Sequence, residues 1–342
     1  MKPIRLAVAI AAAVAAQTAV AQQPTLYLGA YGGSTEKLFK EKIIPAFEAK
    51  HGVKIVYVAG NSTDTLAKLQ AQKSKQELDL VLLDDGPMQQ AVQFGFCDNV
   101  KPETTKDLYP LAKLNDKSVG VGVVATGLAY NTEAFKKAGL PKPTSWEALT
   151  DKTFKQKIAI PPISNTYGLH SLLMFAKLRN GSATAIDPGF NALKSEVGPN
   201  VLAWEPSSGK MTELFQNGDV TLAVWGSGRV EALKDTGFPI EFVYPKEGAL
   251  ALMIAACPVV QSDVPQQSQA LLQYLLTPEV QVMLAENQGW GPVNRNTKLA
   301  PASAAKVPYG EAQVGKLIPT DWTVVNEKRG EWTARWNRTV ER

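Results

Sequence analysis

The residues best equipped for chemistry sit in one short stretch, Phe215 to Arg229, FQNGDVTLAVWGSGR. Gly218-Asp219 reads as a turn, and Val220 to Val224 as a buried, β-leaning run. Trp225-Gly226-Ser227-Gly228-Arg229 follows, and a helical pattern begins at Val230. A strand that ends in a glycine-rich loop and feeds a helix turns unpaired N–H groups outward, and the helix dipole favours negative charge there. Arg229 adds a planar fork of donors that matches a carboxylate or phosphonate, and Trp225 adds an apolar wall. The competing reading is an ordinary strand-to-helix turn with a core Trp and a surface Arg. A second concentration of charge, Asp84-Asp85, ends the apolar run Leu78 to Leu83. Either acid can pair a ligand amine or cap the helix opening at Pro87. An arginine and an acid in one site suit a zwitterion, such as an amino acid, a γ-amino acid or an opine-like compound. A plain anion of phosphonate type is the near alternative.

Neutral hydrogen-bonding groups cluster in turns and caps. Ser34, Asn61, Ser62 and Thr126 are candidates from the first part of the chain, and Asn165, Thr166, Ser207 and Ser208 from the second. Ser227 and the loop residue Gly33 join them, and the charged Glu247 in the Pro245-Lys246-Glu247-Gly248 turn is a further ligand-binding candidate. Each has an alternative role in a turn or cap. Tyr31, Tyr167, Trp225 and Trp290 can wall an apolar part of a ligand, with core packing the alternative for Tyr167 and Trp290. Motifs for catalysis are missing: G-x-S-x-G, H-E-x-x-H, a Walker loop and a clean G-x-G-x-x-G are all absent. Ser227 lies between glycines without an identifiable base, and only His170 offers a distant one, so an exported hydrolase is the remote rival. His51 and His170 do not have metal-ligand spacing, and no cofactor or metal is expected.

The elements that must position these groups follow from the chain's pattern. Its 342 residues suggest about two domains. The formal charge of +4 comes without a basic run, so nucleic acid is not implied. Residues 1–21 read as a cleavable signal peptide: basic Lys2 and Arg5, apolar Leu6 to Ala16, and the cleavage signature Ala19-Val20-Ala21. The apolar run is short of the roughly 20 residues a membrane anchor needs. Export to the periplasm is the expectation. Cys97 and Cys257 are the only cysteines, and sequence leaves open a disulfide or two buried thiols. Strands at Thr25 to Ala30, Val53 to Val58 and Leu78 to Leu83 each precede a helical pattern. In the first helix, Thr35 to Lys50, Pro45 is expected to break or kink the chain near Ile44. Such alternation makes a doubly wound, mostly parallel sheet whose ligand sits beyond the strands' carboxyl ends. A long β-like run, Val119 to Asn131, can leave one lobe and enter another. A capping box at Thr144 to Glu147 opens a helix at Trp146, and Trp322, Trp332 and Trp336 read as packing residues of a tail helix.

The order of these pieces carries a resemblance. YLGAYGGSTEKLFKEKIIPAFEAKHGVKIVY, LDLVLLDD, ATGLAYNTEAFKKAGLPKPTSWEAL, LFQNGDVTLAV, YPKEGALA and LTPEVQVMLAENQGWGPVN together resemble an extracellular solute-binding protein of an ABC importer. More narrowly, the chain resembles the group of the spermidine/putrescine receptors. The resemblance implies a two-lobe periplasmic-binding-protein fold of α/β class, each lobe a doubly wound sheet, joined by crossover strands. By that pattern lobe one is 22–128 plus 252–293, and lobe two is 129–251 plus 294–342. It also implies a hinge at 125–131 and 249–255, a small organic solute in the cleft, a monomer, and an ABC permease as partner. Polyamine receptors of the group carry a Trp and an Asp on the strand after a P-x-E-G turn. The matching positions are Leu252 and Ile254, neither of which pairs a cation, so polyamine binding is the alternative reading. A related group holds ferric iron through paired tyrosines, and no adjacent Tyr pair occurs here.

Overall fold

A computed structural model describes residues 23–341, so the expected leader, 1–21, lies outside the described residues. Nine strands form the framework: β1 (Thr25–Ala30), β2 (Lys54–Ala59), β3 (Leu80–Asp84), β4 (Val119–Asn131), β5 (Ile158–Ile160), β6 (Val201–Trp204), β7 (Leu222–Gly226), β8 (Ile240–Val243) and β9 (Leu250–Pro258). They run in the order β2-β1-β3-β9-β4-β7-β5-β6, with β8 also on β4. The flanks are parallel: β1 pairs β2 and β3 in one lobe, and β5 pairs β6 and β7 in the other. Between the flanks, β4 and β9 are antiparallel to each other and to their other neighbours. The chain that crosses out of a lobe in β4 must return in β9, so the crossover ladder is antiparallel and the sheet is mixed.

Strand β4 shows why the sequence allows this. All 13 of its residues except Asn131 are buried. Its run VGVGVVATGLAYN has no polar face, as a strand covered on both sides requires. The first part, Val119 to Thr126, pairs β9, and from Thr126 onward the strand pairs β7. Thr126 is thus the position at which the strand changes partner. Gly127 fits only because it lacks a side chain: a Cβ there would lie 2.5 Å from the Val243 carbonyl.

Each lobe has its own core. Phe39, Phe47, Leu271 and Leu284 belong to the first, and Trp146, Phe175, Trp332 and Trp336 to the second. Burying such side chains contributes roughly 1.5–3 kcal/mol each. Cys97 and Cys257 form a disulfide that ties the loop after the third lobe-one helix to β9.

Several local expectations change. Pro45 does not break the first helix. The segment Ser34–Leu38 passes through a π-turn, Phe39–Ile43, into Ile44–His51, and Pro45 falls in that last segment's first turn. The wider turn removes the clash between the ring and a preceding carbonyl. At the expected capping box, Ser145 rather than Thr144 is the cap, accepting from the Glu147 N–H at 3.1 Å. The Glu147 carboxylate is instead drawn to Arg179, with one oxygen 2.6 Å from Nη1. Strand β6 was not anticipated, because a four-residue edge strand carries little periodic signal. The stretch after Val293 makes contacts with the first core. Leu108 bridges Asn294, and Val314 and Leu317 pack in the first core. The tail reaches the second core at Ile318 and through the helix Trp322–Thr339, which buries Trp322, Trp332 and Trp336 as its spacing suggested.

Candidate functional site

The loops at the strands' carboxyl ends converge on one cleft of about 720 Å³ between the lobes. From lobe one come Tyr31, Gly33 and Ser34 after β1, Asn61 and Ser62 after β2, and Asp84 at the end of β3. From lobe two come Asn165, Thr166 and Tyr167 after β5, Ser208 after β6, and Trp225 and Arg229 around the end of β7. Ser207 lines it too. This is where an α/β sheet places ligand, because the helix N-termini face the same edge.

Three of those N-termini are partly spent on the protein itself. Asn61 accepts from the Asp64 N–H, Asn165 from the Tyr167 N–H, and Ser207 from the Lys210 N–H. The helix at Ser34 and the helix Ser227–Lys234 have no side-chain cap. Arg229 reaches between these two, its Nη1 donating to Ser34 Oγ at 3.3 Å. Gly33 supports this corner with a left-handed φ of 71°. This is the positive end of the cleft.

The negative end is Asp84. Tyr31 donates to its Oδ1 at 2.7 Å, and Thr166 donates to its Oδ2 at 2.5 Å from the other lobe. Its own N–H donates to Ser62 Oγ at 2.9 Å. A carboxylate accepts about four hydrogen bonds, so two protein hydroxyls leave room for a ligand donor. Among the described residues, neither Asp84 nor Arg229 takes part in an ion pair. Both line a deeper extension of about 30 Å³ with Tyr31, Tyr167, Leu252, Ile254 and Trp290. Burial, and then the Asp84 charge, pushes the Tyr31 phenol well above its usual range. Burial pushes Tyr167 to about 12, against the lowering effect of Arg229. Both phenols are therefore neutral donors at ordinary pH.

The glycines of the β7 loop serve the protein rather than an anion. A Cβ at Gly226 would lie 2.2 Å from the Tyr167 hydroxyl, and one at Gly228 would lie 2.2 Å from the Gln288 carbonyl. They let Tyr167 and the helix Pro278–Gln288 approach. Trp225 is almost fully buried, so it lines the cleft as the edge of a core residue. Trp290 combines both expected roles, packing edge-on against Tyr31 and lining the deep extension.

Four expected site residues lie outside the cleft. Asp85 turns to the opposite side of the sheet from Asp84, where it lines a separate cavity with Trp322. Thr126 is fully buried and bonds His170 Nδ1 at 2.7 Å. Ser227 points inward and accepts from the Ala125 N–H at 3.1 Å. Glu247 accepts from Ser145 Oγ at 2.5 Å and the Trp146 N–H at 3.2 Å, which fixes a lobe-two turn. His170, lowered to about 3 by burial, is a neutral ring between Thr126 and Thr320. His51 stacks on Phe47.

Thr212, Gln216 and Thr236 line the cleft without having been expected there. A signal for two of them was present: Ser208, Thr212 and Gln216 recur at i, i+4 and i+8, which puts three polar side chains on one helix face.

Known proteins share this architecture. Residues 42–309 match the family profile described as bacterial extracellular solute-binding protein. The spermidine/putrescine-binding periplasmic protein of Escherichia coli is 24% identical over 308 residues, 85% of this chain and 82% of that one. An uncharacterized Haemophilus influenzae protein is 26% identical over 225 residues, and the match spans 63% of each chain. Among solved structures, the periplasmic binding protein AfuA of Actinobacillus pleuropneumoniae, with fructose-6-phosphate bound, superposes with a TM-score of 0.78 at 20% identity, covering 94% of this chain and 99% of that one. The Atu4243-GABA receptor superposes with a TM-score of 0.74 at 18% identity, covering 92% and 96%. These neighbours share the two-lobe fold. With a profile matching more than half its length, the chain belongs to the family of bacterial extracellular solute-binding proteins.

Proposed function

We propose that this protein is the periplasmic receptor that captures a small zwitterionic organic solute and delivers it to an ABC permease. The observation that carries this reading is a pair of opposite charges, Asp84 and Arg229, that line one cleft with two neutral phenols and are in no ion pair among the described residues. An amine on Asp84 and a carboxylate or phosphonate on Arg229 complete both without burying an uncompensated ion. Hydroxyls and amides around them suit a polar body of amino acid, γ-amino acid or opine type. A plain anion fits Arg229 and leaves Asp84 bare. The relative named for polyamines keeps a second reading in view, since Asp84 suits an ammonium. Arg229 opposes a dication, and the apolar Leu252 and Ile254 in the deep extension pair no second amine.

Capture works by hinge closure around the solute, about the crossovers at 125–131 and 249–255. Of the described residues, lobe one is 23–128 with 252–293 and the stretch to about 317, and lobe two is 129–251 with 318–341. Support comes from β4, which changes partner at Thr126, and from the tail's Val314 and Leu317 in the first core. The reading is of a monomeric receptor rather than an enzyme; Ser227 and His170, the one serine–histidine pair weighed for catalysis, are bonded to Ala125 and to Thr126 and Thr320 instead of to each other.

A calorimetric panel of γ-aminobutyrate, other amino acids, opines, aminophosphonates, dicarboxylates and polyamines tests this. We expect zwitterions to bind, and Arg229→Ala to weaken them by about 10- to 100-fold, the value of a charged hydrogen bond. Binding of polyamines alone, unaffected by Arg229→Ala, overturns the reading.

A further inference from the structure

Strand alternation makes the crossovers a wall with two faces. Val124, Leu252 and Ile254 face the ligand cleft, and Val123, Ala251 and Met253 face the other way. On that far side lies a second cavity of about 760 Å³, within the size range of small-molecule sites. Its walls come from the lobe-one helix Asp85–Gln93, the loop around Leu114, both crossovers and the tail around Trp322. Most of the lining is apolar, yet it contains three buried polar atoms without a hydrogen-bond partner: Asp85 Oδ1, Ser118 Oγ and Trp322 Nε1. Ser118 is fully buried and Trp322 is 8% exposed.

Asp85 is the anomaly. A buried carboxylate is costly unless paired. No lysine or arginine lines this cavity, and among the described residues Asp85 is in no ion pair. The charged groups near it are acids: Asp84 beside it, and Asp321, which caps its own helix. The Trp322 indole and the Met253 and Gly86 N–H groups face the half-buried Asp85 carboxyl, but no cation does, and the cavity has room for one with a hydrocarbon body. We propose that this hinge-side cavity binds a small organic ammonium ion, its charge on Asp85 and its apolar body against Trp322 and Met253. The site spans the joint between the lobes, because the Trp322 ring packs so closely on Gly86 that a Cβ there would lie 2.4 Å away. Occupancy therefore biases the lobe arrangement, and by linkage solute in the cleft alters amine affinity in return.

Titration of the protein with 2-phenylethylammonium at pH 8, followed by calorimetry, tests the site. We expect saturable binding that falls at least tenfold in Asp85→Asn and in Ala251→Leu, which narrows the cavity but keeps the charge. Asp84→Asn and Arg229→Ala, on the cleft side, are expected to change it less than twofold, and circular dichroism checks that every variant is folded. Undiminished binding in Asp85→Asn, loss in Asp84→Asn instead, or no binding to the unaltered protein at millimolar amine each overturns the assignment.

Discussion

Asp84 and Asp85 are neighbours in the chain, yet one lines the interlobe cleft and the other a cavity on the far side of the sheet. Asp84-Asp85 announces a charged strand end, but which acid faces a ligand depends on where the strand stops: Asp84 is the last residue of β3 and Asp85 the first of the next helix. Arg229 was legible because it follows a strand-loop-helix signature, whereas the inward turn of Ser227 toward Ala125 depends on a β4 contact about 100 residues away. Asp85 also gives a pH signature. Burial raises it to about 7, with Asp84 adding and the Trp322 indole opposing. Its folded value lies above the unfolded one of about 3.9. The native state therefore holds the proton more tightly, and the stability this contributes is present below about pH 4 and is lost as pH rises toward 7. Chemical unfolding at pH 4.5, 6 and 7.5 should show the unaltered protein losing stability relative to Asp85→Asn, at no more than about 1.4 kcal/mol per pH unit. Parallel curves for the two proteins count against a raised Asp85.

At the scale of elements, the site is a convergence of helix N-termini, and the caps Asn61, Asn165 and Ser207 were visible as polar residues ahead of helical patterns. Less visible was the purpose of the glycines. GSGR looks like an anion cradle, but tertiary approach by Tyr167 and the Gln288 carbonyl is what requires Gly226 and Gly228. Gly228→Ala should accordingly cost about 1–3 kcal/mol of stability, as overpacking does. It should also weaken solute binding by displacing the helix that carries Arg229. Thermal melts and calorimetry check both, and an unchanged melting temperature would show that the Gln288 segment yields freely. Pro45 teaches the complementary lesson. Proline rules anticipate a disturbance near Ile44, and the chain absorbs it as a π-turn within one continuous helical path.

For the molecule as a whole, strand-helix repetition and the order of motifs made the two-lobe α/β fold readable. Pairing at a distance was not, since the Cys97–Cys257 bridge and the packing of Val314 and Leu317 in the first core depend on three-dimensional proximity. The bridge closes a sequence separation of 160 residues, so its removal should lower stability by about 2–5 kcal/mol. Melting of Cys97→Ser, or of the protein under reductant, measures this, and an unshifted transition would mean that lobe two unfolds first and sets the observed midpoint. The strand order carries a last consequence, one of timing. Strand β9 sits between β3 and β4, yet it is the last of the nine strands to leave the ribosome. Until residues 250–258 emerge, β3 and β4 share no neighbour and Cys97 has no partner. The first lobe, begun earliest, therefore lacks its inner strand for nearly three quarters of the chain's synthesis, and the second core waits longer still for the helix Trp322–Thr339.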